Sequence, residues 1–265
     1  MVEDLGREIE LMRSLRHPSL VNFIGASRVQ CPRALLPAAA SHMGDATAQG
    51  VAEAYVLCIE LCDLALDAII QHRRKQSKSF SSEELRLLLA DVASGLAYLH
   101  SCKILHRDVK AANIFALPRE NACEAGADLV DLPLTALRGK LGDFGSCKLA
   151  SGAQTPVQTP QWMAPEVVRL EGYGPPADIW SFGIVIFELL EQGMPYGEDI
   201  SFPALEAELQ ANRPPVLHDR SGAEVRCAAS VLLMDRCFRA DPSSRPSAVD
   251  IEEYLSQSAP DESDK

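Results

Sequence analysis

The spacing of apolar residues separates a front section of short strands from a helical remainder. From Glu3 to Arg16, apolar Leu5, Ile9, Met12 and Leu15 recur at helical intervals and predict a helix. His17-Pro18 should end it, because the residue before a proline is pushed out of the helical region. Leu20 to Ile24 reads as a strand, and Tyr55 to Leu61 reads as a second, buried one. Between them, Arg28 to Ala54 is rich in Ala, Pro, Ser and Gly and has no period. It is expected to be a mobile surface insertion.

A helix is expected from Leu64 to Arg74. Ser81 and Ser82 precede Glu83 and Glu84, an N-terminal cap signature. The helix they open carries Leu85, Leu88, Leu89, Val92, Leu96 and Leu99 on one face, so it belongs in a core. A second aperiodic stretch, Leu117 to Arg138, is expected to form an extended hairpin loop. Further helices are predicted over Asp178–Leu190, Pro203–Ala211, Glu224–Phe238 and Ala248–Leu255. Strands in front and helices behind make an α+β protein.

Composition narrows the function classes. At 265 residues and 47% hydrophobic content, the chain can bury one substantial core or two small ones. A formal net charge of −12 argues against nonspecific nucleic-acid binding, which needs cations to displace counterions. The 8 cysteines show no CxxC pair and no His spacing suited to zinc, so they read as reduced thiols. The acidic start Met1-Val2-Glu3-Asp4 is not expected to act as a signal peptide, and the longest apolar run, Ile179 to Leu190, is too short to span a bilayer. A cytoplasmic protein that binds neither nucleic acid nor membrane is expected.

Three strings carry the chemistry: His106-Arg107-Asp108-Val109-Lys110-Ala111-Ala112-Asn113, Asp143-Phe144-Gly145 and Ala164-Pro165-Glu166. In this order they resemble the catalytic loop, metal-binding loop and activation-segment anchor of a protein kinase. Thr159 to Glu166, and Trp162-Met163 above all, is similar to the tyrosine-kinase-like group of Ser/Thr kinases. The resemblance implies a protein-kinase-like fold with a mostly helical C-lobe and a truncated N-lobe holding the family's αC helix plus two strands. On that reading residues 1–62 are the N-lobe with insertion 28–54, residues 63–256 the C-lobe with insertion 117–138, and residues 257–265 a disordered tail.

The implied activity is ATP-dependent phosphorylation of Ser or Thr hydroxyls on proteins. Asp108 would orient the hydroxyl, Lys110 would contact the γ-phosphate, and Asn113 and Asp143 would hold Mg²⁺. The backbone of Glu60 to Cys62 would bind adenine as the hinge, after Ile59 as gatekeeper, with Phe115 packed below the ring; a plain structural strand explains the same residues. Glu166 and Arg245 would form a buried salt bridge, and Asp178 would hold the catalytic-loop backbone. Arg107 would pair with a phosphorylated activation-segment residue, Ser151 or Thr155 being the acceptors, while Thr159 would contact the catalytic loop; unmodified loop hydroxyls are the alternative.

One departure stands out. Glu8 falls where the αC glutamate should meet the β3 lysine, yet no lysine precedes Lys75 and no glycine-rich phosphate loop precedes Glu8. The chain as written is therefore expected to bind Mg·ATP weakly and to transfer phosphate poorly. Three explanations stay open: a start upstream of Met1, a partner that covers the N-lobe, or a non-catalytic pseudokinase-type scaffold that binds partners through its C-lobe.

Overall fold

The computed structural model describes residues 9, 12–32, 51–62, 64–119, 128–149 and 160–257. The chain divides into two compact units, Met1–Arg16 with Asn22–Leu61 and His17–Val21 with Cys62–Lys265.

In the smaller unit, Ile9 and residues 12–14 are helical, in line with the apolar spacing. Strands β1 (Phe23–Pro32) and β2 (Val51–Ile59) form an antiparallel hairpin in which Arg28 faces Tyr55 and Pro32 faces Val51. The ladder thus runs through Arg28–Pro32 and begins again at Val51, inside the stretch read as an insertion without structure. Backbone N–H and C=O groups pair whatever the side chains are, so a ladder can outrun the hydrophobic alternation that signals it. Residues 33–50 lie outside the described residues.

A second expectation fails here. Val56, Leu57, Cys58 and Ile59 are exposed, not buried. The sheet consists of β1 and β2 alone among the described residues, and a two-stranded ribbon has no neighbour to cover its faces. Its open end is closed by Glu60, whose amide donates to the Asn22 carbonyl (2.8 Å) while its carboxylate accepts from the Asn22 amide (2.9 Å).

In the larger unit, Leu20 makes a parallel bridge to Leu141, and Val21 donates to the Leu141 carbonyl at 2.9 Å. The strand expected over Leu20 to Ile24 is therefore split between the two units. β3 (Leu64–Ala65) leads into α1 (Leu66–Lys75), and α2 (Ser82–Ser101) follows. Ser81 caps α2 through a reciprocal pair with Glu84, as its sequence implies. The six apolar residues of its stripe are all completely buried.

β4 (Ile104–Leu105) pairs with β7 (Lys148–Leu149), and β5 (Ile114–Pro118) and β6 (Leu137–Leu141) join β3 in an antiparallel sheet of order β3-β5-β6. Gly139 lets β6 lie against α2, since a Cβ there would come within 2.8 Å of Leu88 Cδ1.

The β5–β6 connection was expected as an extended hairpin loop. It does join two antiparallel strands, but residues 128–136 fold into two 3₁₀ turns docked on α1 and α2. The Leu134 amide donates to Glu84 at 3.0 Å, and His72 bonds Asp131 at 2.9 Å. Burial favours the protonated form of Glu84, yet bonds from Arg73, Ser81 and Leu134 outweigh it and hold the carboxyl at about 2. Residues 120–127 lie outside the described residues.

Helices α3 (Pro165–Val168), α4 (Pro175–Glu191), α5 (Phe202–Gln210), α6 (Arg220–Cys237, kinked at Cys227) and α7 (Ala248–Gln257) complete the unit. α4 begins a turn before the expected Asp178, because Pro175 and Pro176 suit the first helical positions, where no intrahelical N–H bond is needed. Its residues 177–189 are buried on every side, which makes α4 the axis on which the site is mounted. Gln257, expected to start a tail, is the last helical residue; 258–265 lie outside the described residues.

Candidate active site

The start of the loop from His106 to Asn113 is held by the carboxylate of Asp178. Asp178, fully buried in the first turn of α4, accepts from the His106 amide (3.0 Å), the Arg107 amide (2.9 Å) and His100 Nε2 (2.9 Å). Burial would raise its pKa, but the bond and charge of His100 dominate and hold it below the ordinary carboxylate range. These bonds also stabilise Arg107 at φ +69°, a left-handed conformation unfavourable for a residue with a Cβ.

Above this support the polar side chains converge. Asp108 Oδ2 accepts from Lys110 Nζ at 2.7 Å and from Asn113 Nδ2 at 2.8 Å. Asn113 Nδ2 also donates to the Asp108 carbonyl at 2.8 Å, which commits both amide protons and leaves its carbonyl oxygen to face elsewhere. All three residues sit on or beside the 3₁₀ turn Ala111–Asn113 that enters β5.

Asp143 is placed by its neighbours. The Gly142 amide donates to the Asn113 carbonyl at 2.9 Å, and the Gly142 carbonyl bonds His106 Nε2 at 2.9 Å. The Asp108 amide donates to His106 Nδ1 at 3.3 Å, so the proton of the neutral ring lies on Nε2 and points to Gly142. Burial lowers the His106 pKa and keeps the ring neutral. Gly142 must be glycine, as a Cβ would meet Phe115 and Val21 at 2.8 Å. Asp143 follows at φ +57°, its carboxylate exposed, and Phe144 is buried edge-on to His106. Asp108, Lys110 and Asn113 are thus one hydrogen-bonded cluster, and Asp143 stands on the residue bonded to it.

The family profile described as Protein kinase domain matches residues 1–256. The chain belongs to the protein kinase family. It is 28% identical over 260 residues to the serine/threonine-protein kinase STY17 of Arabidopsis thaliana, a match covering 97% of this chain and 38% of the relative. It is 29% identical to the serine/threonine-protein kinase Tao of Drosophila melanogaster, over 94% of this chain and 20% of that protein. Cytokinesis protein sepH of Aspergillus terreus is 30% identical, over 92% of this chain and 15% of its own length. The chain therefore spans less than two-fifths of the length of these curated relatives. The arrangement of helices and small sheets is that of a protein kinase domain.

Other expected positions in this kinase domain are placed as follows. Arg245 Nη1 and Nη2 meet the two oxygens of Glu166 at 2.7 and 2.9 Å, both side chains buried. Phe115 lies on β5 opposite Ala65, and its ring lies where a Cβ on Gly142 would fall. Cys62 is half-exposed in the larger unit, and Glu60 belongs to the smaller one. Glu8, Ser151, Thr155 and Thr159 lie outside the described residues. Among the described residues no helix is long and apolar enough to cross a membrane.

Two residues with evident roles were not singled out from the sequence. His100, at the end of α2, is one. Glu188, a lone acid in the apolar run of α4, is the other. Its Oε2 accepts from the Ala111 amide and from Trp162 Nε1, each at 3.0 Å, and so joins the His106–Asn113 loop to the segment before α3. A charge inside an otherwise apolar stretch of the helix was the available signal, since burial of an acid requires polar partners.

Burial pushes the Glu188 carboxyl up to about 7 in spite of these bonds. The unfolded chain then loses this proton first as pH rises, so stability falls from about pH 4.5 through about 7 and levels off. The span corresponds to about 3 kcal/mol. Glu188→Gln, which keeps an acceptor oxygen, should remove that slope and leave stability near pH 5 little changed. Urea unfolding at pH 5 and pH 8 checks it; an unaltered slope in the variant would assign the proton elsewhere.

Proposed function

We propose that this kinase domain transfers the γ-phosphoryl group of ATP to Ser or Thr hydroxyls of protein substrates. The observation that carries this reading is the Asp108–Lys110–Asn113 cluster mounted on Asp178. Asp108 supplies an anionic acceptor for the proton of the incoming hydroxyl and orients its oxygen. Lys110, within 2.7 Å of that carboxylate, places a positive charge where phosphate oxygens must approach the hydroxyl.

The residues present fit Mg²⁺. Asn113 keeps only its carbonyl oxygen for a further ligand, and Asp143, next after the Gly142 whose amide bonds the Asn113 carbonyl, offers an exposed carboxylate. Magnesium takes such hard oxygens together with water and phosphate, and once bound it neutralises charge on the phosphates. The Arabidopsis and Drosophila relatives are named serine/threonine kinases, which supports hydroxyls of Ser and Thr as acceptors. Trp162 and Met163 support a place in the tyrosine-kinase-like group. Cys58, Cys62, Cys102, Cys147, Cys227 and Cys237 form no disulfide, which suits a reducing compartment such as the cytoplasm.

The test is incubation of the purified chain with Mg·ATP labelled on the γ-phosphate and a set of generic protein acceptors, followed by phosphoamino-acid analysis. Phosphoserine or phosphothreonine is expected. Phosphotyrosine as the sole product, or no transfer at any protein concentration, would overturn the reading.

A further inference from the structure

The peptide bond between Lys110 and Ala111 is held at both ends. Its carbonyl accepts from the Asn113 amide at 2.9 Å, which closes the 3₁₀ turn, and its N–H donates to Glu188 Oε2 at 3.0 Å. The first amides of a helical turn have no partner inside it, so this N–H needs an outside acceptor. A peptide unit is planar, and fixing both of its ends restrains the backbone torsions on either side. Those torsions set where the Lys110 side chain leaves the loop toward Asp108, and the turn itself carries Asn113.

The same carboxylate oxygen also accepts from Trp162 Nε1 at 3.0 Å. Trp162 is buried at the end of the 3₁₀ turn Pro160–Trp162, and its carbonyl accepts from Ser181 Oγ at 2.7 Å. Ser181 and Glu188 lie about two turns apart along α4. One holds Trp162 by its backbone and the other by its ring. The last torsion of a glutamate is soft, and two donors on one oxygen restrain it where a single donor would let the carboxylate swing. Burying an acid here costs free energy that an apolar side chain would not, and these two bonds are what the acid adds.

We propose that Glu188 is a positioning residue for phosphoryl transfer, which transmits the seating of Trp162 to Lys110 and Asp108. It touches no reacting atom. With Trp162 docked, the carboxylate is rigid and the Lys110–Ala111 peptide is fixed; with Trp162 withdrawn, both loosen. The inference rests on the functional reading above and deepens it by naming what keeps Lys110 and Asp108 aligned.

The experiment compares the parent chain with Trp162→Phe, Glu188→Gln, Glu188→Leu and the Trp162→Phe/Glu188→Leu double variant, by single-turnover and steady-state transfer. Trp162→Phe keeps an aromatic ring and removes the N–H donor. It should lower the single-turnover rate about 10–100-fold, with KM for acceptor peptide and for Mg·ATP moving less than about threefold. Glu188→Leu should act in the same way, and the double variant should be no slower than Glu188→Leu, because both changes break one linkage. Glu188→Gln, whose amide oxygen accepts both bonds, should recover most of what Glu188→Leu loses. The losses should be equal for acceptor peptides with arginine or alanine beside the serine. Thermal melts show which variants are folded at the assay temperature; Trp162→Phe against Glu188→Gln decides the matter where Glu188→Leu is not.

A parent rate in Trp162→Phe would overturn the proposal. So would losses that multiply in the double variant, or a loss confined to KM. The two readings fail separately: no transfer by the parent chain sinks the functional assignment and this inference with it, whereas parent transfer matched by Trp162→Phe sinks only the inference.

Discussion

Asp108→Asn should lower phosphoryl transfer by about 10²–10⁴-fold while the melting temperature stays within a few degrees. The substitution keeps size and an acceptor oxygen, so the bonds from Lys110 and Asn113 can persist. What it removes is the negative charge proposed to receive the hydroxyl proton. Single-turnover transfer to a saturating acceptor peptide is the appropriate readout, because it isolates the chemical step from product release. Asp143→Ala should cost as much at low magnesium, and a large excess of magnesium should restore part of the rate. That restoration separates a metal ligand from a residue that merely shapes the loop. Transfer at the parent rate in either variant would refute the assigned role.

The second large effect concerns stability. Arg245 is enclosed by Glu166, by the carbonyls of Pro176 and Arg239 at 2.8 and 2.9 Å, and by the Trp180 ring 5.1 Å from its guanidinium carbon. Arg245→Ala leaves the Glu166 carboxylate buried without its cation, which costs about 3–5 kcal/mol. In a domain of this size that is a fall of about 10 °C in Tm. Arg245→Met with Glu166→Gln should recover much of the loss, because the stranded charge goes with the pair. A drop of less than about 2 °C in the single variant would show that solvent reaches Glu166 and that the pair holds little together. Arg245→Lys should fail almost as badly as alanine, since an ammonium cannot make the two-pronged contact.

How much of this was legible in the chain varies with the range of each interaction. The stripe of α2 and its Ser81–Glu84 cap were readable because residues three and four apart share a helix face. The Asp108–Lys110–Asn113 cluster was picked out only by the resemblance of its string to the protein kinase motif; the turn that joins its members is seen in the fold. The resemblance to protein kinases then supplied Asp143, Asp178 and the Glu166–Arg245 pair, whose partners no spacing rule would find. Glu188 escaped because an acid in an apolar run carries no mark of which amides will reach it. The extent of β1 and β2 escaped because the ladder is made by backbone groups. The docking of residues 128–136 escaped because it depends on Arg73, Glu84 and His72, which lie far away in the chain.

By itself the order of residues determined most of the longer helices, the Ser81–Glu84 cap of α2 and the kinase family. Each of these is set by groups close along the chain or by a recognisable order of short motifs. Tertiary structure alone decided which charges are buried and with whom. Asp178 serves amides 71 and 72 residues before it, Glu188 one 77 residues before it, and Arg245 a carboxylate 79 residues before it. Burial raises the free energy of an isolated charge, so its state depends on partners that only the folded chain assembles.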